Sequence, residues 1–542
     1  MSILDHLPIL PILIPLITAA ALIPINDRNR DMKGVISVLS SAVVFVVSLS
    51  LMYAAADQPE GMPLVYLLGN WSAPYGIVLV VDRLSAVMLV LSSLVALGAQ
   101  TFSMARWHRQ GFHYHSLFQF MAVGINGAFL TGDMFNLFVF FEIMLGASYG
   151  LLLHGSGPMR VKKGLHYIAI NLAASSLFLI GVSLIYGATG TLNMADLALR
   201  IGQLNVENRM LMEAGAALLG IAFLVKAAMW PLGFWLPGAY AAASPPSAAF
   251  FAILTKVGAY ILLRFSMLLF GAGAGPSAGF GLSVLLYGGL ATILFGLIGV
   301  LASQALGRLA AYCIIVSSGT LLTAIGIADR AVIAGALLYL VTSTLAACAL
   351  FLLIELVERA RDAGADVLAV TMEAYGDSDD DQVETEVGVA VPGTMAVLGL
   401  CFVVTAMLLA GLPPFSGFLA KVSILHGLFG SGPPGAAINF QGLSGAQWAY
   451  VALLILSGLS TLIAMNRVGI RTFWISLEGT VPRIYMIEIA PILLLLGACA
   501  VLTLGAGSAI SYLEATADAL VRPQGYIESV LSVPRIASPR GD

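Results

Sequence analysis

Three lysines stand inside apolar runs: Lys226 in "GAALLGIAFLVKAAMWPLGFWLPG" (215–238), Lys256 in "SPPSAAFFAILTKVGAYILLRF" (244–265) and Lys421 in "GLPPFSGFLAK" (411–421). They are half of the chain's six lysines; Lys33, Lys162 and Lys163 are expected in loops. A lysine at the centre of a membrane helix costs roughly 2.5–3.5 kcal/mol on insertion scales, so it needs a reason to be there. Snorkelling to an interface is the plain alternative, and it suits Lys421 better than the other two. A partner of opposite sign is Glu142, the one charge between Asp133 and Arg160. A buried ammonium beside a carboxylate keeps its proton, and desolvation drives the proton off when the carboxylate is neutralised or leaves. A Glu142–Lys226 pair of this kind can act as a proton switch, with a static structural salt bridge as the alternative. Asp133 and His426 are expected as accessory relay positions. Pro231, Pro237, Pro413 and Pro414 are read as helix breaks, whose freed carbonyls hold water or an ion.

The elements that must position these groups are membrane helices. Of 542 residues, 59% are apolar and 10% charged, against about 25% charged in a soluble domain. At about 20 apolar residues per span, the chain divides into fourteen segments: 7–25, 34–56, 84–105, 114–131, 133–154, 164–188, 213–236, 247–272, 279–303, 307–328, 331–357, 392–427, 448–466 and 485–506. The fold class is all-α and polytopic. Segments 7 and 12 are both broken by proline and each carries a lysine. Their spacing by five predicts two inverted five-helix repeats, segments 4–8 and 9–13. The expected divisions are residues 1–112, 113–273, 274–471 with an acidic linker at 358–391, and 472–542. The connections after odd-numbered segments hold fourteen Lys and Arg, and those after even-numbered ones four. That places the odd loops in the cytoplasm and both termini outside.

Other chemistry is missing from the pattern. Formal net charge is −4, which argues against a nucleic-acid surface. The glycine run 271–279 follows a membrane segment, not a strand, and so lacks the context of a nucleotide loop. His108, His113 and His115 read as a surface cluster before a metal site. Cys313, Cys348, Cys401 and Cys499 read as small buried side chains. The run "MEAYGDSDDDQVETE" (372–386) reads as a solvated linker. No cofactor or metal is expected.

These residues resemble the antiporter-like membrane subunits shared by Mrp-type Na⁺/H⁺ antiporters and respiratory complex I. The likeness is carried by "GDMFNLFVFFEIMLGASYGLL" (132–152), by the three lysine stretches above and by the Pro-broken segments. It implies that Glu142 and Lys226 form the ion pair of a proton path, which Lys256 and Lys421 extend along the membrane plane. Complex I relatives carry W-L-P-D-A-H after the first break; here it reads Trp235-Leu236-Pro237-Gly238-Ala239-Tyr240, which resembles the D-type antiporter subunits. The likeness implies a non-enzymatic subunit of a bacterial plasma-membrane complex of about six or seven different chains, exchanging protons for Na⁺. The alternative is a membrane-arm subunit of a quinone reductase or membrane-bound hydrogenase.

Overall fold

The computed structural model describes residues 3–59, 61–374, 393–430, 443–473 and 484–533. Helices α1 (Leu10–Leu22), α2 (Arg30–Asp57), α3 (Arg83–Ser103) and α4 (Tyr114–Leu130) come first. A two-stranded hairpin, β1 (Leu64–Leu67) and β2 (Val78–Val81), joins α2 to α3. Helices α5 (Met134–Leu153) and α6 (Pro158–Thr189) follow, then the short α7 (Met194–Ile201). Next are α8 (Val206–Lys226), α9 (Leu236–Ala242), α10 (Pro245–Leu268), α11 (Leu282–Ala302), α12 (Leu306–Ile327) and α13 (Arg330–Ala374). The rest comprises α14 (Gly393–Ala410), α15 (Ser416–Phe429), α16 (Gly445–Phe473), α17 (Met486–Leu504), α18 (Ala506–Val521) and α19 (Gln524–Ser532).

Every expected segment coincides with a helix or a broken pair of helices. Among the described residues, twelve helices are long and apolar enough to cross a membrane, so the chain is a multi-pass membrane protein. Segments 1 and 4 fold as the shorter α1 and α4. The first half of the expected linker continues α13 to Ala374, and the rest, 375–391, lies outside the described residues. Local structure that the apolar pattern does not mark is also present: the hairpin, α7, and the tail helices α18 and α19, none of which has the length of a span.

Both breaks are real, and their detail corrects the expectation. Segment 7 ends its helix at Lys226, five residues before Pro231, so Lys226 is not mid-helix. Ala228 has φ 55°, which turns the chain out of the helix. Gly233 then packs against the Ala228 carbonyl so closely that a Cβ would stand 2.2 Å from its oxygen. Pro237 is not a breaker; it lies in the first turn of α9, where the missing N–H costs nothing. Trp230 N, displaced from the helix ladder, donates to Thr292 Oγ1 of α11 at 2.9 Å. The second break spans 411–415, between α14 and α15, and holds Pro413 and Pro414.

Helix α10 runs at the centre, buried along its whole length. Gly258 lets it cross the first break in near contact. A Cβ there would meet Ala227 N at 2.7 Å and the Lys226 carbonyl carbon at 3.0 Å, and backbone cannot swing aside. Gly258→Ala is expected to destabilise the fold by about 1–3 kcal/mol, the usual range for overpacking. A thermal melt of the purified protein in detergent checks this; an unchanged midpoint would contradict the close crossing.

The bundle has two distinct ends. One is basic: Arg109 reaches Asp31, Arg106 reaches Glu355, and Arg359 bridges Glu355 and Glu488. There Arg160 donates to Ala242 O, and Arg467 to the Leu301 and Ser303 carbonyls. The hairpin, α7, α18 and α19 cover the other end, where Arg264 pairs with Asp82 and Arg330 with Asp518.

Candidate functional site at the helix breaks

Lys226 closes α8 with its side chain 6% exposed. Its Nζ donates to Asn171 Oδ1 of α6 at 2.8 Å. Asn171 in turn donates from Nδ2 to the Tyr167 carbonyl at 2.8 Å, which fixes the orientation of its amide. Glu142, on α5, acts on Lys226 through its charge without touching it. No ion pair within 4.0 Å joins the two, and Glu142 Oε1 is buried without a hydrogen-bond partner. The direct pair expected from the sequence is thus not made in this conformation: Asn171 takes the ammonium instead. The only mark Asn171 leaves in the sequence is that of a lone amide in an apolar run ("HYIAINLAASS"), too common a feature to single it out.

Lys256 is 1% exposed on α10. Its Nζ donates to Ser317 Oγ of α12 at 2.6 Å, and Ser317 shares a 2.8 Å hydrogen bond with Ser343 of α13. Lys421 is 9% exposed on α15, and its Nζ donates back across the second break to the Ala410 carbonyl, the last of α14, at 2.9 Å. Gly411, at φ 76°, leaves room for the lysine stem; a Cβ there would stand 2.7 Å from Lys421 Cδ. All three ammonium groups are therefore buried and hydrogen-bonded to neutral oxygens.

The accessory positions do not join this set. His426 is exposed, and five residues of helix turn it about 140° from Lys421. Asp133 caps α5, accepting from Asn136 N at 2.8 Å. It lies nine residues, about 13 Å of helix, from Glu142. Burial holds its carboxyl above the ordinary range, against hydrogen bonds from the Asn136 and Phe135 backbone.

Two further expectations change. Lys33 is not in a loop: it is 3% exposed in the first turn of α2. The histidines are not a surface cluster either, because His108 and His115 are buried and only His113 is exposed. Among the described residues no three His, Cys, Asp or Glu side chains gather as a metal would require. The four cysteines are buried thiols, as expected.

A polytopic bundle with lysines buried beside two interrupted helices is a membrane ion-transport component in its architecture. Residues 131–445 match the family described as NADH:quinone oxidoreductase/Mrp antiporter, transmembrane. The chain belongs to that family, and within it to the D-type antiporter subunits. It is 64% identical over 537 residues to the D-type chain of a probable K⁺/H⁺ antiporter of Rhizobium meliloti, covering 99% of each chain. It is 34% identical to the D-type chain of a Na⁺/H⁺ antiporter of Alkalihalophilus pseudofirmus, covering 97% of this chain and all of the relative. Among solved structures, a chain of the Mrp complex from Dietzia superposes with TM-score 0.81 at 26% identity, covering 98% of this chain and 100% of the other. A chain of respiratory complex I from Thermus thermophilus superposes with TM-score 0.72 at 20% identity, covering 98% and 100%, which shows a shared fold. Its relatives are transporter components, and this chain is one subunit of a transporter.

Proposed function

We propose that this chain carries protons through a multisubunit antiporter that exchanges them for a monovalent cation. The observation that carries the reading is the set of three buried ammonium groups, on α8, α10 and α15, each held by a neutral oxygen, with the Glu142 carboxylate acting on the first. Protonation of Glu142 removes the charge that favours the Lys226 proton, and desolvation then releases it. Lys256 and Lys421 repeat the buried ammonium on a neutral oxygen farther along the bundle. Asp133 and His426 take no part in this path. The two interrupted helices support the inverted repeat, and the breaks supply loosened backbone beside two of the three lysines.

The gathering of Arg and Lys side chains at one end supports a bacterial plasma-membrane orientation with that end in the cytoplasm and both termini outside. Partner chains are inferred from the relatives, which are named as subunits. Na⁺ is the coupling ion of the 34% identical relative. The 64% identical relative, named for K⁺, favours a second reading in which K⁺ is exchanged instead.

The test uses everted vesicles containing the whole complex. A pH gradient is built, and its collapse is followed after addition of K⁺ or Na⁺. Cation-dependent collapse by the wild type is expected. No response to either cation, together with iron–sulfur subunits in the purified complex, would replace this reading with a quinone-reductase or hydrogenase membrane arm.

A further inference from the structure

The lysine path leaves unused a second run of buried polar groups, enclosed by α1, α2, α3 and α4. Lys33 of α2 and His115 of α4 open it at the basic end, each 3% exposed. The backbone of α2 next to Lys33 approaches the ring: a Cβ on Gly34 would stand 3.2 Å from His115 Nε2. Gln100 Nε2 lies 2.7 Å from His115 Nδ1 and donates to Ser37 Oγ at 2.6 Å. Because an amide nitrogen only donates, Nδ1 accepts, and the ring proton sits on Nε2. One turn further along α4, Gln119 Nε2 donates to Ser37 Oγ at 2.9 Å and to Ser41 Oγ at 3.3 Å. Then comes a cavity of about 10 Å³, close to the least room one water needs; Ser41, Ser92, Ser93, Gln119 and Asn126 supply its polar wall, and apolar side chains such as Val44 and Phe250 the rest. Beyond it Ser92 donates to Asn126 Oδ1 at 3.0 Å, and Asn126 donates to the Pro11 carbonyl at 2.9 Å. From His115 to Asn126 is eleven residues, about 16 Å, half the hydrocarbon thickness.

Helix glue would account for polar pairs between neighbouring helices. It does not account for what is left over. Gln100 Oε1 and His115 Nε2 are buried with no hydrogen-bond partner among the described residues, and buried polar groups of this kind are served by internal water. The mouth also has a titratable lead-in. His108 Nε2 lies 3.1 Å from the exposed carboxylate of Asp31, and its ring centre is 5.5 Å from that of His115. The charged and titratable groups facing His115 are Lys33, His108 and His154, with Asp31, Arg109 and Arg30 at the rim. At the inner end the cavity wall includes Phe250, stacked on Phe118 at 4.5 Å. Phe250 belongs to α10, the helix that carries Lys256.

We propose that α1–α4 hold a file of water that conducts protons from the basic end to the middle of the bundle, with His115 at its mouth as the proton-exchanging group. Its role rests on the antiport reading above; its hydration does not. Single cysteines at Ser41 of α2 and Ser92 of α3, both lining the cavity, are tested in the assembled complex with the small thiol reagent 2-aminoethyl methanethiosulfonate. Leu89→Cys, on α3 and fully buried, is the control. Ser41→Cys and Ser92→Cys are expected to react severalfold faster than Leu89→Cys, and the reaction is expected to slow exchange. Gln119→Leu is expected to lower the exchange rate per assembled complex severalfold, and His115→Gln to displace the pH profile. Static glue predicts less complex with an unchanged rate and profile, and that result overturns the proposal, as does equal reactivity of all three cysteines. If Gln119→Leu fails to assemble, the rate before and after labelling Ser92→Cys decides. A wild type that exchanges no cation but shows labelled Ser41→Cys and Ser92→Cys would sink the antiport reading and leave the water file standing.

Discussion

Lys226→Ala should abolish cation-dependent proton exchange while the complex still assembles. The alanine removes the ammonium and leaves Asn171 Oδ1 without its donor. The loss of one hydrogen bond with its charged partner gone is a modest structural change. The functional change is much larger, because a positioned proton-transfer group is worth about 100-fold to 10,000-fold in rate. Lys226→Arg sharpens the test. Arginine keeps the positive charge and a donor for Asn171, and it does not release its proton in a protein. If Lys226 works by changing its protonation, Lys226→Arg fails nearly as badly as Lys226→Ala. If it is a fixed charge, Lys226→Arg keeps substantial activity. Exchange in everted vesicles, normalised to assembled complex, distinguishes these outcomes, and wild-type rates in Lys226→Ala would end the proposal.

Arg264→Met should produce the largest loss of stability. Arg264 reaches the Asp82 carboxylate with both terminal guanidinium nitrogens. It also donates to Tyr260 at 2.8 Å and lies over the Tyr526 ring of α19, which holds the tail against the hairpin end. Breaking such a buried pair by removing one partner costs about 3–5 kcal/mol, since the other charge stays buried alone. Asp82→Asn combined with Arg264→Met should recover part of that loss. The pH dependence has a definite sign. Burial alone would raise the Asp82 carboxyl, but the charge and hydrogen bonds of Arg264 outweigh it and hold the pKa below the usual carboxylate value. A depressed folded pKa gives stability that is complete above the unfolded value, near 4, and is lost as pH falls through the folded value. The wild type should therefore show no Asp82-linked change at neutral pH. In Arg264→Met only the hydrogen bonds from Ser85 still oppose burial, so protonation relieves the strain, and the gap in melting temperature from wild type should narrow in mild acid. A gap that widens would contradict the assignment.

How much of the molecule is readable from its sequence depends on which forces leave a mark on the chain. Membrane helices are marked by length and apolar content, so every segment is visible, including both broken ones. The buried lysines are visible because a charge in an apolar run has few explanations. The partners are harder. Asn171 and Ser317 look like ordinary polar residues of membrane helices, and only packing reveals that each meets a lysine. The end of α8 is hidden because Ala227 and Ala228 are good helix residues; tertiary contacts with Gly258 and Thr292 hold the turn. Lys33 is misplaced by the sequence because a lysine in the first turn of a helix normally faces water. Arg264, lying beyond Lys256 in the same apolar run, carries the same signal as the lysines and can be found by it.

The two broken helices share a property that their sequences conceal. Lys226 precedes its break and Lys421 follows its own, so the residues look unrelated. Yet Lys226 ends α8, and the Lys421 ammonium sits on the final carbonyl of α14. Both charges thus belong to the C-terminal end of a helix that stops inside the bundle, where aligned peptide dipoles present roughly half a negative charge. That counter-charge has no proton to gain or lose. On the proposed proton path each lysine would be loaded and unloaded against a backbone field that stays constant at any pH, while carboxylates such as Glu142 would supply the part that varies.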